Sequence, residues 1–425
     1  MRIAVLSWRD LTHPEGGGAE RYAHTVCAGL AALGHEVTLL CADHGGAPRR
    51  ERHPDGYRIL RQGGRLGVYP RSLLRLRSLE RAQGRLDVVV DVQNGLPFAA
   101  RLATRTPVVV LVHHVHREQW PVVFGRVVAT LGWWLESRVS PRLYAGCQYV
   151  AVSGRTRDEL AELGVRPEHV SVIHNGTELP LDLGEPRAAE PRLVVLGRLV
   201  PHKRVELAVD VVVALRERLP GLRLHVIGDG WWRDEIAAHV QAVGAGDAVA
   251  LLGHVDEETK HRELAAAWVC LAPSLKEGWG LSVIEAASHG VPTVAFHGAG
   301  GLSESVLDGF TGLLAHDQAE LVAHTERLLT DDATRAETSR AARAHARRFS
   351  WADTVRRWDG LLRHVAAGLD PVAEVDQVVA TPADPGRPGS ATGPDLPGSE
   401  QPGSDRPGPE RPGPDRPDAA ERVSA

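Results

Sequence analysis

Four stretches of this 425-residue chain carry residue types whose spacing can do chemistry. The run Leu196-Gly197-Arg198-Leu199-Val200-Pro201-His202-Lys203 sets two cations five residues apart on what reads as a strand-to-helix turn. Arginine brings a planar fork of donors and lysine a compact charge, a pairing suited to the two phosphates of a nucleoside diphosphate. Only Lys203, Lys260 and Lys276 are lysine among 49 Lys and Arg residues. A lysine beside a glycine-bearing turn in so biased a chain is expected to do what arginine cannot; a solvated helix start is the plain alternative. Further on, Glu277 and Glu285 frame Gly278-Trp279-Gly280-Leu281, read as a loop running into a helix. Carboxylates near a helix start usually serve its dipole. Here glycines bare the backbone beside them, so both acids can accept hydrogen bonds from sugar and ribose hydroxyls.

The other two stretches are weaker alone. Gly16-Gly17-Gly18-Ala19-Glu20 lies between a first strand and a helix, where backbone N–H groups can face phosphate. It does not fit GxGxxG, which counts against a dehydrogenase. Val112-His113-His114-Val115-His116 closes another strand, and a neutral imidazole there can steer a hydroxyl. A metal site is disfavoured: His113 and His114 point to opposite faces of a continuing strand, and only Glu118 is near.

Positioning these groups is the work of short apolar runs alternating with amphipathic stretches. Ile3–Leu6, Val37–Leu40, Tyr57–Leu60, Val88–Val92, Val108–Val112, Tyr149–Val152 and Val170–Ile173 read as strands of a first unit. Leu193–Leu196, Leu222–Ile227, Val249–Leu252, Val269–Leu271, Thr293–Phe296 and Gly312–Leu314 restart the rhythm after a polar stretch, Thr177 to Arg192. Runs this continuous suit strands buried on both faces of a parallel sheet. The expectation is α/β, two doubly wound Rossmann-like domains, with ligands beyond the carboxyl ends of the strands and the default site in a cleft between the units.

With GGGAE near the start, GRLVPHK after the linker and EGWGLSVIE later, the chain resembles the retaining family 4 glycosyltransferases of the GT-B fold, within the glycogen-phosphorylase-like superfamily. Phe349-Ser350-Trp351 before a last helix is similar to that family's closing segment, so the resemblance spans about Met1 to Leu369. It implies an N-terminal acceptor-side domain over 1–178, a nucleotide-sugar-binding domain over 190–350 and a closing helix over 351–369 that packs back on the first domain. It also implies that Arg198 and Lys203 hold the donor diphosphate, that Glu277 contacts the transferred sugar and Glu285 the ribose. Gly17 and Gly18 would lie near diphosphate and acceptor, with Gly278, Gly280 and Leu281 completing the donor loop. His113 falls close to the sugar, giving a catalytic set of Arg198, Lys203, Glu277 and His113. Transfer would proceed with retention, with no cofactor, no essential metal and no protein nucleophile; no D-x-D metal motif occurs in the body. Trp279 stands where phenylalanine is frequent, and Lys276 precedes the first Glu.

Composition bounds the rest. At 43% hydrophobic and 24% charged, a packed body is expected. Beyond Pro371 the repeated PGSEQ-PGSDR-PGPER-PGPDR pattern cannot bury enough surface to fold, so 371–425 is expected to be disordered. That tail carries the net charge of −5, leaving a neutral body and no basic face for nucleic acid. Cys27, Cys41, Cys147 and Cys270 show no metal spacing and fit reduced thiols. With no signal peptide and no spanning segment, a cytoplasmic protein is expected. Leu73, Leu76 and Leu79 with Arg71, Arg75, Arg77, Arg81 and Arg85 could lie on an anionic inner leaflet, or simply clad the sheet. Trp120, Trp133 and Trp134 with Arg126, Arg138 and Arg142 pose the same choice. Together they make a lipid-linked or cell-envelope acceptor a candidate. A hexose donor, GDP-mannose as a guess, is expected; a silent nucleotide-sugar-binding or scaffold protein and a sugar-nucleotide epimerase are the alternatives.

Overall fold

A computed structural model describes residues 1–377 apart from 15, 179 and 182–185. Its first sheet holds eight strands: β1 (Arg2–Leu6), β2 (Glu36–Cys41), β3 (Arg50–Arg52), β4 (Arg58–Arg61), β5 (Val88–Gln93), β6 (Val108–Val112), β7 (Gln148–Ala151) and β8 (Val170–Val172). They lie in the order β3-β4-β2-β1-β5-β6-β7-β8, all pairs parallel except β3 with β4. The second sheet holds β9 (Arg192–Leu196), β10 (Arg223–Ile227), β11 (Val249–Gly253), β12 (Val269–Ala272), β13 (Thr293–Phe296) and β14 (Gly312–Ala315), ordered β11-β10-β9-β12-β13-β14 and wholly parallel. Both orders reverse direction beside their first strand, as in doubly wound sheets, so the ligand crevices open beyond β1 and β5 and beyond β9 and β12. Continuous burial explains the strand assignments. Every residue of β5 and β6 is buried, which only a sheet clad on both faces allows. The sequence reading lacks β3, whose Arg-Glu-Arg is too short and too polar to register; it forms the charged antiparallel edge.

Two helices bear on the site. Helix α1 (Gly18–Ala32) follows β1, and α2 (Gly64–Gln83) follows β4. Leu76 is fully buried and Leu73 and Leu79 are half-buried, so α2 clads the sheet, while Arg77 bonds the Leu102 and Ala103 carbonyls. The Trp120–Arg142 segment divides. Trp120 is buried and donates to Glu136 at 2.7 Å, whereas Val127, Leu131 and Trp134 form one exposed face of the helix Arg126–Trp134, at 83%, 55% and 51% exposure.

The two sheets do not have separate interiors. Trp279, Ile284 and Ala287 from beyond β12, and Trp358, Leu361 and Leu362 from the helix Trp351–Ala366, belong to one cluster with Tyr22, Val26 and Val90 of the first half. That helix lies against α1 so closely that a Cβ on Gly29 would stand 2.4 Å from Val355. Trp358 Nε1 donates to the Tyr22 hydroxyl at 2.6 Å, and Tyr22 donates on to the Ile173 carbonyl. The disorder expected from Pro371 does not hold for its first residues. The Val372 main chain exchanges bonds with the Gln148 amide and accepts from the Ser171 hydroxyl, and Val375 is buried, because these valines still offer apolar surface to the first sheet. The remainder of the expected disorder, from 378, lies outside the described residues.

Candidate active site

Strand β9 ends at Leu196 and the chain turns at Gly197, whose φ of +148° suits glycine. Arg198 follows, and a single 3₁₀ turn, Pro201–Lys203, brings Lys203 back beside Gly197. The turn is clasped from the neighbouring strand: Leu199 N–H donates to the Asp229 carbonyl, and a Cβ on Gly230 would meet the Leu199 oxygen at 2.1 Å. Arg198, Lys203, Ser274 and Ser282 line one small crevice at the β9/β12 switch point.

The loop after β12 delivers the acids. Glu277 N–H donates to the Ala299 carbonyl and its own carbonyl accepts from Gly301, which fixes the loop against the one after β13. Its carboxylate accepts from Lys203 Nζ and, at 2.7 Å, from Ser274 Oγ. Burial works to raise this carboxyl, but the Lys203 ammonium together with Ser274 and His202 outweighs it and the net shift is downward. Gly280 caps the helix Leu281–Ser288 with a φ of +85°, and a side chain there would strike Leu302. Glu285 sits one turn inside that helix and accepts from Lys260 Nζ at 2.8 Å. It belongs to a second charged group with Lys260, Glu257 and Arg21.

The first half closes over this loop. A Cβ on Gly278 would sit 2.1 Å from the His113 carbonyl oxygen, so only glycine permits the approach. Gly18 faces Leu281. In the glycine loop, Gly17 N–H is taken by the Glu20 carboxylate at 2.8 Å, the half of a capping box that needs no side chain from the cap. His113 is buried edge-on against Tyr22, with Nε2 lacking any protein partner. Burial first, and the His116 charge second, push its imidazole down to about 4. At pH 7 it is neutral, with a ring nitrogen to offer a hydroxyl.

That value fixes a stability effect. An unfolded histidine protonates near 6.5 and this one near 4, so between those values the unfolded chain holds the extra proton. Stability is lost as pH falls from 6.5 to 4, by about 3 kcal/mol for this group alone. His202 and His289, also pushed down to about 4 chiefly by burial, act in the same direction. Denaturation midpoints at pH 7, 5.5 and 4.5 should fall steadily, with a shallower fall in His113→Asn; a flat profile contradicts the burial.

The sequence reading named Lys276 without giving it a role and passed over Ser274. Lys276 is 6% exposed and crosses from the second half to Glu118 and Glu159 of the first, at 2.8 and 2.9 Å. Each of the three lysines meets a carboxylate around these loops, and their scarcity was a signal for all three rather than for Lys203 alone.

The comparisons follow this division. Residues 16–180 match the model "Glycosyltransferase Family 4" and residues 185–345 match "Glycosyl transferases group 1". The chain belongs to glycosyltransferase family 4, with the GT-B fold. The glycogen synthase of Mycobacterium tuberculosis is 27% identical over 340 residues, 74% of this chain and 82% of that one. The D-inositol 3-phosphate glycosyltransferase of Nocardia farcinica is 32% identical over 240 residues, 52% of each chain. Among solved structures, the sucrose-phosphate synthase of Thermosynechococcus elongatus superposes with a TM-score of 0.75 at 23% identity, covering 86% of this chain and 99% of that one. Anabaena HepE, solved with UDP and glucose, gives 0.67 at 20% identity, covering 85% of this glycosyltransferase and 99% of that chain.

Proposed function

We propose that this glycosyltransferase moves a hexose from a nucleoside diphosphate sugar to an acceptor hydroxyl with retention of configuration, using no metal and no protein nucleophile at the reacting centre. The observation that supports the reading is the convergence of Arg198, Lys203 and Ser274 on one crevice, with Glu277 held charged beside them. As the bond from sugar to diphosphate breaks, charge grows on the leaving oxygens. Arg198 and Lys203 meet it from fixed positions, which is worth more than a group that must move in. Glu277, freed from Lys203 when phosphate takes its place, accepts hydroxyls of the sugar. The departing phosphate oxygen takes the acceptor's proton on the face it leaves, and the acceptor oxygen bonds to the same face of the anomeric carbon. His113 Nε2 offers a further hydroxyl contact. Glu285, with Lys260 beside it, is placed for the ribose.

The acceptor reading rests on the exposed face of Val127, Leu131 and Trp134, flanked by Arg126, Arg138 and Arg142. An apolar ridge among arginines fits an anionic leaflet and hence a lipid-linked acceptor. No described helix is long and apolar enough to cross a membrane, so contact would be peripheral. Co-sedimentation with acidic vesicles should be strong at low salt, weaken as salt rises, and drop in Trp134→Ser. No binding at low salt removes the lipid reading. Nucleoside diphosphate release that requires both donor and acceptor, with a product retaining the donor's configuration, tests the transfer itself. Release without acceptor, or epimerised donor as the product, favours the alternatives.

A further inference from the structure

We propose that His24, His53 and Asp55 form a zinc site that ties α1 to the turn before β4. This is independent of the transfer reaction. One donor atom from each of the three residues lies within 4.8 Å of the other two. His24 Nε2 is 3.5 Å from Asp55 Oδ2, and His53 Nδ1 is 3.4 Å from the same oxygen. Those separations are longer than a good N–H···O bond. They match the spacing between donors of a tetrahedral site, about 3.4 Å for metal–ligand bonds of about 2.0–2.1 Å.

The second shell fits as well. His24 Nδ1 is 2.7 Å from the buried Tyr57 hydroxyl. With Nδ1–H donating there, the Nε2 lone pair faces Asp55, the arrangement that orients most metal-binding imidazoles. The Asp55 main-chain N–H donates to His53 Nδ1 at 3.3 Å, so this nitrogen is unprotonated, and an ion would displace that long bond from its one lone pair. Ring and turn are held rigidly. His53 stacks on Tyr57 at 4.8 Å, and His53-Pro54-Asp55-Gly56-Tyr57 is closed by His53 N–H to the Tyr57 carbonyl, with Gly56 at a φ of +92°. Ring positions are thus set before the ion arrives, and only the Asp55 N–H bond to His53 must give way.

Two imidazoles and a carboxylate select zinc or its neighbours over calcium or magnesium, which prefer all-oxygen sets. Asp55, half exposed, leaves the fourth position open to water. Arg21, one turn before His24, is a like charge to the ion, but it is engaged by Glu178 and Glu257. For the same reason the other cluster of suitable residues, Glu178, Glu257 and His261, is a poorer site: its acids already hold Arg21.

The test is equilibrium dialysis of the untagged full chain against micromolar Zn²⁺, followed by Co²⁺ absorption to read geometry. One equivalent should bind, Co²⁺ should give the intense visible bands of a tetrahedral site, and the melting point should rise with zinc. Asp55→Asn and His24→Ala should weaken that equivalent by about 100-fold or more, while His261→Ala leaves it in place. Asp55 is half exposed, so its variant folds even if His24→Ala does not. Absence of bound zinc, or binding that persists in Asp55→Asn, overturns the proposal.

Discussion

Lys203→Ala should leave a folded protein whose turnover is lower by roughly 10²–10³, the loss expected when one fixed donor to a developing oxyanion is removed. The loss has two sources. The leaving diphosphate loses a cation, and Glu277 loses the main partner that offsets its burial, which shifts its carboxyl upward. Lys203→Arg should not restore the rate, staying roughly tenfold or more below the native enzyme. Lys203 Nζ meets Glu277 as a compact charge beside Gly197, and the planar fork of a guanidinium does not reproduce that geometry. Steady-state rates at saturating donor decide it. Near-normal turnover in either variant removes Lys203 from the reaction.

Trp358→Ala should lower unfolding free energy by about 3–5 kcal/mol, the usual range for deleting a buried aromatic. Trp358 is fully buried in the cluster that joins the two halves, and its loss also removes the donor to the Tyr22 hydroxyl, which keeps its bond to the Ile173 carbonyl. Trp358→Phe keeps most of the volume and should be milder. Urea denaturation reads the result as a lower midpoint with an unchanged slope. A change below 1 kcal/mol would mean that the helix Trp351–Ala366 does not hold the halves together.

The legible parts of this fold are those where one physical signal dominates. Val88–Val92 and Val108–Val112 can only be doubly buried strands, and they are β5 and β6. Arg198, Lys203 and Glu277 were picked out by the scarcity of lysine, the glycines beside them and the family resemblance. What stayed hidden depends on partners far apart in the chain. Nothing near Lys276 announces Glu118 and Glu159, and nothing near Trp134 says that it faces outward while Trp120 is buried and Trp133 packs on the core. Gly17 looked open until Glu20, three residues on, claimed its N–H. The start of the tail was set too early because composition averages over Val372 and Val375, two residues that still find a surface.

Thermal-shift screening against nucleotide sugars, on the native chain, Lys203→Ala and Glu277→Gln, tests the central claim most directly. One nucleotide sugar should raise the native melting point, and its nucleoside diphosphate alone should do so less. Lys203→Ala should lose both shifts, while Glu277→Gln should keep the diphosphate shift and lose the increment due to sugar. Native-sized shifts in both variants would contradict the placement of donor phosphate and sugar in this crevice.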